Sequence, residues 1–494
     1  MSHYFARVLN PNNDRSRLWS SFVDTIRQNV PLTIGFSLWW IWIFSIYQSF
    51  TIFPVIGLGP WRVPSGVGPL ICIAATLLLT AALYHRRRFI LQGSWYYLCV
   101  TALMSLGAAV CFLWITLGDP LNTTGVLLWA AASVLIGSSS AFMYIEFNRI
   151  MGWFGLLRTL FFAAISVLMG SALTWAASTL SPLLLHGLFV AMPPCMTTLL
   201  LYTIKREGLG SAYFAHGNDA DLPIPLKFIL TSFTEGLSTG LVTGGVTALG
   251  LFATTAETVF LGHALAITLL VAVTFVIKLD FNRLIYQVAF PLMGLGALMI
   301  GCNLGGVVAG ETVQLLGYCF LDLLLWGLGS YLIKNAGLPA IWITACPSGA
   351  LFSGLALGVV IGVFCIQSLA PQHLVTFFCL CSFALLMTAL LLFNKSNFEF
   401  GWGTIRPGVD ESLLSPTARS CNYLADENGL TARERDILLL TAQNMSRKNI
   451  ADALFVSENT VKTHTRNMYR KLFVASRTEL LELVERTGDV LRGE

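Results

Sequence analysis

The segment LTARERDILLLTAQNMSRKNIADALFVSENTVKTHTRNMYRKL, residues 430–472, divides into three short stretches of helical pattern separated by two tight breaks. We predict helices over 431–443, 446–454 and 457–472. Ser446 and Ser457 stand where an N-cap hydroxyl is expected, and each break is only about two residues long. Three short helices joined in this way are typical of a helix-turn-helix motif.

The third predicted helix has one apolar face and one basic face. Its apolar positions recur at spacings of four, three and four residues, which places them on one side of a helix. They are Val461, Thr465, Met468 and Leu472. The opposite face carries Lys462, Thr463, Arg466 and Arg470. A basic helix face that follows a tight turn fits the DNA major groove, whereas the alternative interpretation is a merely solvated surface.

Several short strings in and after this segment form a recognisable pattern. They are Leu430-Thr431-x-Arg433-Glu434, Ile450-Ala451, Val456-Ser457-x-x-Thr460-Val461-Lys462-x-His464, Lys471-Leu472 and Ser476-Arg477-Thr478-Glu479-Leu480. On these residues the segment resembles the C-terminal helix-turn-helix domain of the LuxR/GerE family. The resemblance implies a four-helix DNA-binding domain over residues 429–490. One departure is Asn444, which stands where the family usually has glycine, although asparagine also tolerates the left-handed conformation of a helix C-cap.

The resemblance implies roles for individual residues of the third helix. Base-edge contacts are expected from Lys462, Thr463 and Arg466. Phosphate contacts are expected from Ser457, Thr460 and Lys471, and Arg470 completes the basic face. Long cationic side chains can reach guanine acceptors, and hydroxyl groups at a helix N-terminus suit phosphate oxygens. The resemblance also implies a homodimer on double-stranded DNA, with residues 480–484 of the last helix at the contact.

Two residues of the same pattern have structural interpretations. His464 falls on the inner side with Val461 and Met468, so we expect it to pack there and to form a hydrogen bond. Glu434 is suited to an ion pair with a basic residue inside the domain. We therefore assign neither side chain a role in DNA binding.

The composition of the whole chain is that of a membrane protein. Of its 494 residues, 55% are hydrophobic and only 11% are charged, and the mean hydropathy is +0.71. The net charge of +4 says little, because the charged residues are unevenly distributed. Residues 1–29 are polar and lack the apolar core of a signal peptide, so we expect a cytoplasmic N-terminal tail.

Residues 30–394 form a succession of apolar runs, each about the 20 residues that a helix needs to cross a bilayer. We predict twelve membrane spans, over 31–53, 67–84, 95–117, 123–145, 156–177, 181–203, 228–252, 258–277, 285–308, 312–333, 340–366 and 374–393. The polar residues 395–428 are expected to be a flexible linker. The predicted fold class is therefore all-α, a polytopic helical bundle in the lipid bilayer followed by the helix-turn-helix domain.

Basic residues are concentrated in the N-terminal tail and in the connections that follow even-numbered spans. These positions hold Arg7, Arg15, Arg17, Arg27, Arg86, Arg87, Arg88, Arg149, Arg158, Lys205, Arg206, Lys227, Lys278, Arg283 and Lys334. The connections that follow odd-numbered spans hold only Arg62. Because short basic loops stay on the cytoplasmic side of a bacterial membrane, we expect both termini in the cytoplasm.

The longest connection between predicted spans, residues 205–227, follows the sixth span and divides the membrane region into six and six. This architecture resembles the major facilitator superfamily, whose two halves are related by a pseudo-two-fold axis. The resemblance implies that the first, fourth, seventh and tenth spans surround a central cavity. The connection at 85–88 is basic, as in that family, but lacks its glycine-and-aspartate motif. The resemblance therefore supports the fold more than it supports transport.

Two acidic residues lie inside predicted spans, where ionisable groups are costly and usually functional. Asp322 is in the tenth span, with Tyr318 and Trp326 one turn to either side, and Glu235 is in the seventh. An aromatic cavity with one or two acids suits an organic ligand that carries a cation or hydrogen-bond donors. We therefore predict a ligand or proton site at these four residues. The alternative is structural hydrogen bonding between helices.

Glycines recur at four-residue spacing in the seventh and eleventh spans. They are Gly236, Gly240 and Gly244 in the one and Gly354, Gly358 and Gly362 in the other. Small residues at this interval let helix backbones approach closely in lipid. Tight packing is the simpler interpretation, and flexible hinges are the alternative.

The sequence gives no indication of a metal, disulfide or catalytic site. The eleven cysteines are scattered through apolar runs without a C-x-x-C pair, and the histidines within spans are isolated. We therefore expect no cofactor, no metal and no enzymatic activity.

Together these features predict a membrane-integrated one-component transcriptional regulator. An unknown small-molecule ligand would bind the membrane domain and shift its population between two arrangements. The first alternative is a transporter of the major facilitator type with an attached DNA-binding regulatory domain. The second is a regulator in which the twelve spans are only an anchor.

Overall fold

The described part of the protein is built almost entirely from α-helices, as the sequence predicts. The computed structural model describes residues 23, 26–47, 52–58, 61–117, 122–209, 213, 222, 225–250, 255–274, 281–334, 338–369, 371–394, 416–442, 446–454 and 456–492. Most of the predicted N-terminal tail and of the predicted linker lie outside these residues, as does Asn444.

Every predicted membrane span coincides with a helix. These helices are α1 (Val30–Tyr47), α2 (Val67–Arg86), α3 (Ser94–Thr116), α4 (Thr123–Phe154), α5 (Leu156–Ala177), α6 (Pro182–Arg206), α7 (Leu226–Ala248), α8 (Thr255–Ala272), α9 (Phe281–Gly301), α10 (Gly306–Lys334), α11 (Ala340–Ser368) and α12 (Pro371–Asn394). A π-helical turn, Leu284–Ala289, forms part of α9. The positions of the spans were therefore predictable from runs of apolar residues.

Ten of these helices, counted over the described residues, are long and apolar enough to cross a membrane. The apolar part of α8 is shorter, Ala256–Ala272. α7 is long, but it is rich in glycine, serine and threonine and contains Lys227 and Glu235. α7 falls outside this set because it is only partly apolar, and it is largely buried by its neighbours.

α7 and α11 approach each other so closely that backbone contacts backbone. A Cβ atom added at Gly240 would collide with backbone atoms of Leu355, and one added at Gly358 with backbone atoms of Leu237. The same kind of collision would occur at Gly236, Gly244, Gly354 and Gly362. The two glycine series therefore serve tight helix packing, which was the simpler of the two interpretations of their spacing.

A short β-hairpin, absent from the sequence prediction, connects α1 to α2. Its strands are β1 (Val55–Leu58) and β2 (Trp61–Pro64), paired antiparallel with Leu58 opposite Trp61. The Trp61 ring stacks on Phe364 of α11, with 5.1 Å between ring centroids. The backbone N–H of Arg62 donates to the side-chain oxygen of Gln367 at 3.2 Å. The hairpin thus joins the first half of the membrane domain to the second.

The C-terminal domain consists of five helices around one apolar core. They are α13 (Pro416–Glu427), α14 (Ala432–Ala442), α15 (Arg447–Leu454), α16 (Glu458–Lys471) and α17 (Arg477–Arg492). The core contains Val461 and Met468 of α16 together with Cys421 and Leu424 of α13. α13 lies within the segment expected to be a flexible linker, and that expectation was wrong for this part of it. The domain includes α13 because its apolar side chains are buried against the other helices.

Side-chain caps fix the starts of α14 and α16. The carboxylate of Glu434 accepts the backbone N–H of Thr431 at 2.8 Å, and the Thr431 hydroxyl accepts the N–H of Glu434 at 3.3 Å, which is a capping box. The Ser457 hydroxyl accepts the N–H of Thr460 at 3.1 Å. The predicted N-cap at Ser457 is therefore confirmed, and the helix boundaries agree with the prediction to within about two residues.

α16 ends in a conformation that suits glycine, yet the residue there is phenylalanine. Phe473 has a φ of 55° and is 91% exposed. The N–H of Val474 donates to the carbonyl of Tyr469 at 3.0 Å, the bond of a Schellman motif whose left-handed residue is Phe473. A side chain with a Cβ is strained in this region, and the exposed ring gains little burial in return.

We expect Phe473→Gly to stabilise the C-terminal domain by about 0.5–1 kcal/mol, because relief of the left-handed strain exceeds the entropy that glycine adds to the unfolded chain. Urea unfolding of a fragment that includes α13, residues 416–494, measures the difference. Phe473→Ala is the matched control: it removes the ring but keeps the Cβ, so it should change stability little. Equal stabilisation by both variants would show that the ring, and not the backbone conformation, is the source of strain.

Candidate functional site

The basic face of α16 is exposed, while the opposite face is held in the domain core. Val461 and Met468 are buried. The residues predicted to form the basic face, Lys462, Thr463, Arg466 and Arg470, are all exposed. The cap at Ser457 and the core contacts fix the helix in position and in rotation. The cationic side chains therefore project from a rigid element, as a groove-reading helix requires.

Two hydroxyl groups meet at the N-terminus of α16. The oxygens of Ser457 and Thr460 are 2.8 Å apart. Since one hydroxyl donates to the other, a single hydroxyl hydrogen remains for an outside acceptor. This hydrogen and the positive end of the helix dipole suit a phosphate oxygen, as expected for these two residues.

Lys471 has a different environment from the one that the resemblance implies. Its ammonium lies 2.8 Å from the carboxylate of Glu434 and donates to the carbonyl of Gly429 at 3.0 Å. The side chain thus joins the end of α16 to the start of α14. This ion pair gives Lys471 a role in the stability of the domain. The phosphate contact of Lys471 stays a prediction, since the ammonium keeps a third hydrogen to donate.

The Glu434 carboxylate is the buried centre of this link. Burial alone would raise its pKa, but hydrogen bonds from Lys471 and Thr431 hold the pKa of Glu434 below its ordinary value of 4.5. Because the pKa of Glu434 is lower in the folded state, its carboxylate stabilises the folded protein at pH values above the ordinary pKa of 4.5. That contribution is lost as the pH falls through the lower folded-state pKa. The ion pair that the sequence suggested for Glu434 is present, and its partner is Lys471.

Arg433, another residue of the family pattern, also has a structural position. It is buried, and its guanidinium donates to the carbonyl of Leu454 at 3.1 Å. It also lies 3.6 Å from the carboxylate of Asp436. Burial raises the pKa of Asp436 to about 7, although Arg433 opposes this. Arg433 therefore ties α14 to the end of α15, a contact that the sequence pattern alone did not reveal.

Two residues of the predicted dimer contact at 480–484 face the core of their own domain, whereas Glu482 between them is exposed. Leu480 and Val484 are buried in the core of their own domain. They are unavailable to a partner while the domain is folded, because removing them would expose this core. His464 is half-buried, so it packs inward less completely than we expected.

We expect Lys471→Ala to destabilise the C-terminal domain by about 1–2 kcal/mol, because it leaves the buried Glu434 carboxylate without its cation. Urea unfolding of the 416–494 fragment at neutral pH measures this loss. Lys462→Ala, at an exposed position of the same helix, is the control and should cost less than about 0.5 kcal/mol. If Lys471→Ala instead leaves stability intact and lowers the salt dependence of DNA binding, Lys471 contacts phosphate and its role in stability is contradicted.

In the membrane domain, the four residues of the predicted ligand or proton site are buried together. Asp322, Tyr318 and Trp326 lie on α10, and Glu235 lies on α7. Glu235 and Asp322 are close enough to interact electrostatically. Both carboxylate oxygens of Glu235 lack a hydrogen-bond partner within the described part of the chain. A carboxylate without a partner is costly to bury, so this position is a candidate for binding a proton or a cation.

The surroundings of the acids are aromatic. The Trp326 ring lies 5.0 Å from Phe36 of α1 and 5.1 Å from Tyr144 of α4, measured between centroids. The hydroxyls of Tyr318 and Tyr47 are 3.4 Å apart. α1, α4, α7 and α10 therefore meet around the acids, the arrangement that the superfamily resemblance implies.

The space beside Asp322 is small. A cavity of about 20 Å³ is lined by Asp322, Trp326, Tyr144 and Ser232, among others. That volume holds about one water molecule, whereas sites for organic ligands typically measure about 300–1,000 Å³. The arrangement seen here thus has no room for an organic ligand at this position.

Another buried acid, unlike Glu235, is fully paired and has a structural role. Glu146 of α4 accepts hydrogen bonds from Tyr97 at 2.8 Å and Tyr96 at 3.1 Å, and it lies 2.9 Å from the guanidinium of Arg149. Arg149 also donates to the carbonyl of Leu91 at 2.9 Å. The cation that pairs with the Glu146 carboxylate is therefore Arg149, three residues further along the same helix.

The two halves of the membrane domain are linked at the end where α4 and α10 finish. The Ser330 hydroxyl of α10 lies 2.9 Å from both the Thr159 hydroxyl of α5 and the carbonyl of Met151. The Lys334 ammonium donates to the carbonyl of Phe154 at 3.2 Å. At the opposite end, Trp175 of α5 stacks on Phe260 of α8 with 5.4 Å between centroids. Contacts between the halves therefore lie on both sides of the buried acids.

Comparison with known proteins identifies the C-terminal domain. Residues 428–484 match the model of a family described as bacterial regulatory proteins, luxR family. The transcriptional regulatory protein YhcZ of Bacillus subtilis is 56% identical over 50 residues, which are 10% of this chain and 23% of YhcZ. The nitrate/nitrite response regulator NarL of Escherichia coli K12 is 50% identical over 54 residues, 11% of this chain and 25% of NarL. The chain spans about a quarter of the length of each of these relatives.

The membrane domain is similar in fold to a solved transporter. A bacterial homologue of the iron transporter ferroportin, in an outward-facing state, superimposes with a TM-score of 0.50 and 15% sequence identity over 74% of this chain and 98% of that chain. The Major Facilitator Superfamily transporter FucP matches with a TM-score of 0.47 and 14% identity over 74% of this chain and 99% of FucP. The predicted combination of a helical membrane bundle with a LuxR-type domain is confirmed.

Proposed function

We propose that this chain, which joins a LuxR-type regulator domain to a membrane domain with a transporter fold, is a membrane-integrated one-component transcriptional regulator. Its regulator domain binds double-stranded DNA sequence-specifically. The main support is the exposed basic face of α16, which is capped at Ser457 and anchored through Val461 and Met468. Lys462, Thr463 and Arg466 are then the base-edge readers, and Ser457 and Thr460 hold phosphate.

We expect Lys462→Ala and Arg466→Ala each to lose about 1–3 kcal/mol of discrimination between the preferred site and unrelated DNA. The site is first selected from the organism's regulatory regions with the wild-type 416–494 fragment. Binding is then measured at fixed salt against the selected and a scrambled duplex. Arg486→Ala, an exposed cation on α17, is the matched control and should leave discrimination unchanged. If the wild-type fragment protects no DNA even at low salt, the assignment fails.

We further propose that the end of the bundle with the basic connections is cytoplasmic, so that the regulator domain shares a compartment with DNA. Support comes from the charge asymmetry between the two sets of connections, where Arg62 stands alone on one side. The homodimer on DNA remains part of the proposal, with a contact other than Leu480 and Val484. A reporter fused after Glu494 that is active only outside the cytoplasm contradicts this orientation.

We propose that a small molecule controls the regulator, and the closed state of the central cavity supports this proposal. Because the space beside Asp322 holds about one water, an organic ligand could bind there only after the two halves move apart. Such a ligand would bind one arrangement and be excluded from the other. Differential affinity of this kind is what a population shift requires. We propose Asp322, Glu235, Tyr318 and Trp326 as its contact residues.

We expect Asp322→Asn and Glu235→Gln to change the ratio of target-gene expression with and without the inducing condition by about fivefold or more. A chromosomal reporter measures this ratio, with the amount of membrane-inserted regulator checked by immunoblot. Glu257→Gln, which neutralises an exposed acid on α8, is the matched control. Unchanged ratios in both variants under every condition would favour the alternative in which the spans are only an anchor.

A second candidate, a transporter with an attached regulatory domain, is favoured by the fold of the membrane domain and by its buried acids. Proteoliposome assays separate the two. Saturable substrate flux that Asp322→Asn abolishes would support the transporter. Ligand-dependent DNA binding without flux would support the regulator.

A further inference from the structure

A larger cavity than the one beside Asp322 lies at the end of the membrane domain where α4 and α10 finish. Its volume is about 310 Å³. Its lining includes Arg149, Trp153, Arg158, Glu207, Tyr213 and Lys334. The first three come from α4 and α5 in one half of the bundle, and Lys334 comes from α10 in the other. We call this space the basic cavity.

Two cations of the basic cavity have charges that nothing in the described chain neutralises. Arg158 and Lys334 are both exposed, and neither has an ion-pair partner among the described residues. The Lys334 ammonium uses one hydrogen for the carbonyl of Phe154 at 3.2 Å, which leaves two more to donate. Arg149 adds no net charge, because it is paired with the buried Glu146 at 2.9 Å. Glu207 is the one acid of the lining, so cations remain in excess.

Aromatic rings form another part of the wall. The rings of Trp153 and Tyr213 lie 6.0 Å apart at a steep angle, and the Arg149 guanidinium lies 5.9 Å from the Tyr213 ring centre. Trp153 is 43% exposed, so an apolar ring borders the opening. Such rings are suited to the boundary between lipid tails and headgroups, or to the carbon skeleton of a small organic anion.

We propose that the basic cavity binds a phosphate-bearing anion, with Arg158 and Lys334 as its principal charged contacts. Guanidinium and ammonium groups are strong partners for phosphate oxygens, the former through paired N–H donors. The volume falls within the range typical of sites for small organic ligands. The anion is either the headgroup of an anionic phospholipid or a soluble phosphate compound. This inference is independent of the proposed regulation of DNA binding.

Occupation of the basic cavity would hold the two halves together. Arg158 begins α5, and Lys334 ends α10, so one anion between them bridges the halves next to the Ser330–Thr159 hydrogen bond. A ligand that binds only this arrangement stabilises it by mass action. The anion should therefore raise the thermal stability of the membrane domain.

The test uses full-length protein purified in a neutral detergent. Three probes are titrated: dihexanoyl phosphatidylglycerol, dihexanoyl phosphatidylcholine and glycerol 3-phosphate. Calorimetry measures binding, and tryptophan fluorescence measures Tm. We expect saturable binding of phosphatidylglycerol, a higher Tm, and a Kd raised at least tenfold by the double variant Arg158→Gln/Lys334→Gln. The control, Arg86→Gln/Arg87→Gln, removes the same charge from exposed positions outside the cavity and should change Kd less than twofold.

The outcomes separate the two sources of the anion and the failure of the proposal. Binding of glycerol 3-phosphate as tightly as phosphatidylglycerol identifies a soluble ligand, and binding of phosphatidylglycerol alone identifies a lipid headgroup. Equal binding of phosphatidylcholine, an equal loss in the control, or no binding to the wild type overturns the proposal. If Arg158→Gln/Lys334→Gln unfolds on purification, Arg158→Lys/Lys334→Arg keeps the charges and must retain binding within about threefold.

Discussion

The membrane domain depends on one constraint, the backbone contact between α7 and α11. α7 contains too many glycines, hydroxyl residues and charged groups to face lipid along its length. Its contact with α11 at six glycines lets α7 lie inside the bundle. In lipid the hydrophobic effect does not hold helices together, so van der Waals contacts between the closely packed backbones stabilise this position. This contact holds Glu235 in the interior. The buried acids are therefore a consequence of how α7 is packed.

The same interior shows why one buried acid is a functional candidate and another is not. The Glu146 carboxylate accepts hydrogen bonds from two tyrosine hydroxyls and pairs with the Arg149 guanidinium, so its negative charge is compensated. Glu235 has no hydrogen-bond partner among the described residues, and Asp322 lies nearby. Buried ionisable side chains that serve only packing usually have hydrogen-bond or ion-pair partners, because burying an unpaired charge costs free energy. The unsatisfied Glu235 carboxylate is the observation on which the proposed ligand or proton site rests.

Sequence patterns predicted those features that depend on neighbours along the chain. Apolar runs located α1 to α12, and the spacing in α16 separated its buried face from its exposed face. The failures involve contacts between distant segments. The sequence pattern suggested only a phosphate contact for Lys471. Its ion pair with Glu434 was missed, because the two residues meet only in the folded domain. Leu480 was expected at a dimer contact, but it packs with residues of α13 and α14 in the core of its own domain.

The β-hairpin and α13 were not predicted, for a related reason. Four-residue strands such as β1 and β2 are too short for a periodic signal, and Trp61 acquires its stacking partner Phe364 only through the tertiary fold. α13 follows a stretch that contains Pro407 and several glycine and serine residues, and its own apolar positions are few. Cys421 and Leu424 are core residues because the other helices of the domain bury them, and this burial is not visible in the local sequence.

The contacts that close the membrane domain set the energy that a signal must supply. Opening the central cavity at the end where α4 and α10 finish would break the hydrogen bonds of Ser330 and Lys334 with the other half. At about 0.5–1.5 kcal/mol each, these bonds amount to a few kcal/mol. A ligand excluded from the closed arrangement can offset that much if its concentration exceeds its Kd for the open arrangement by about a hundredfold. The small cost of breaking these hydrogen bonds therefore makes a ligand-driven change of arrangement energetically feasible.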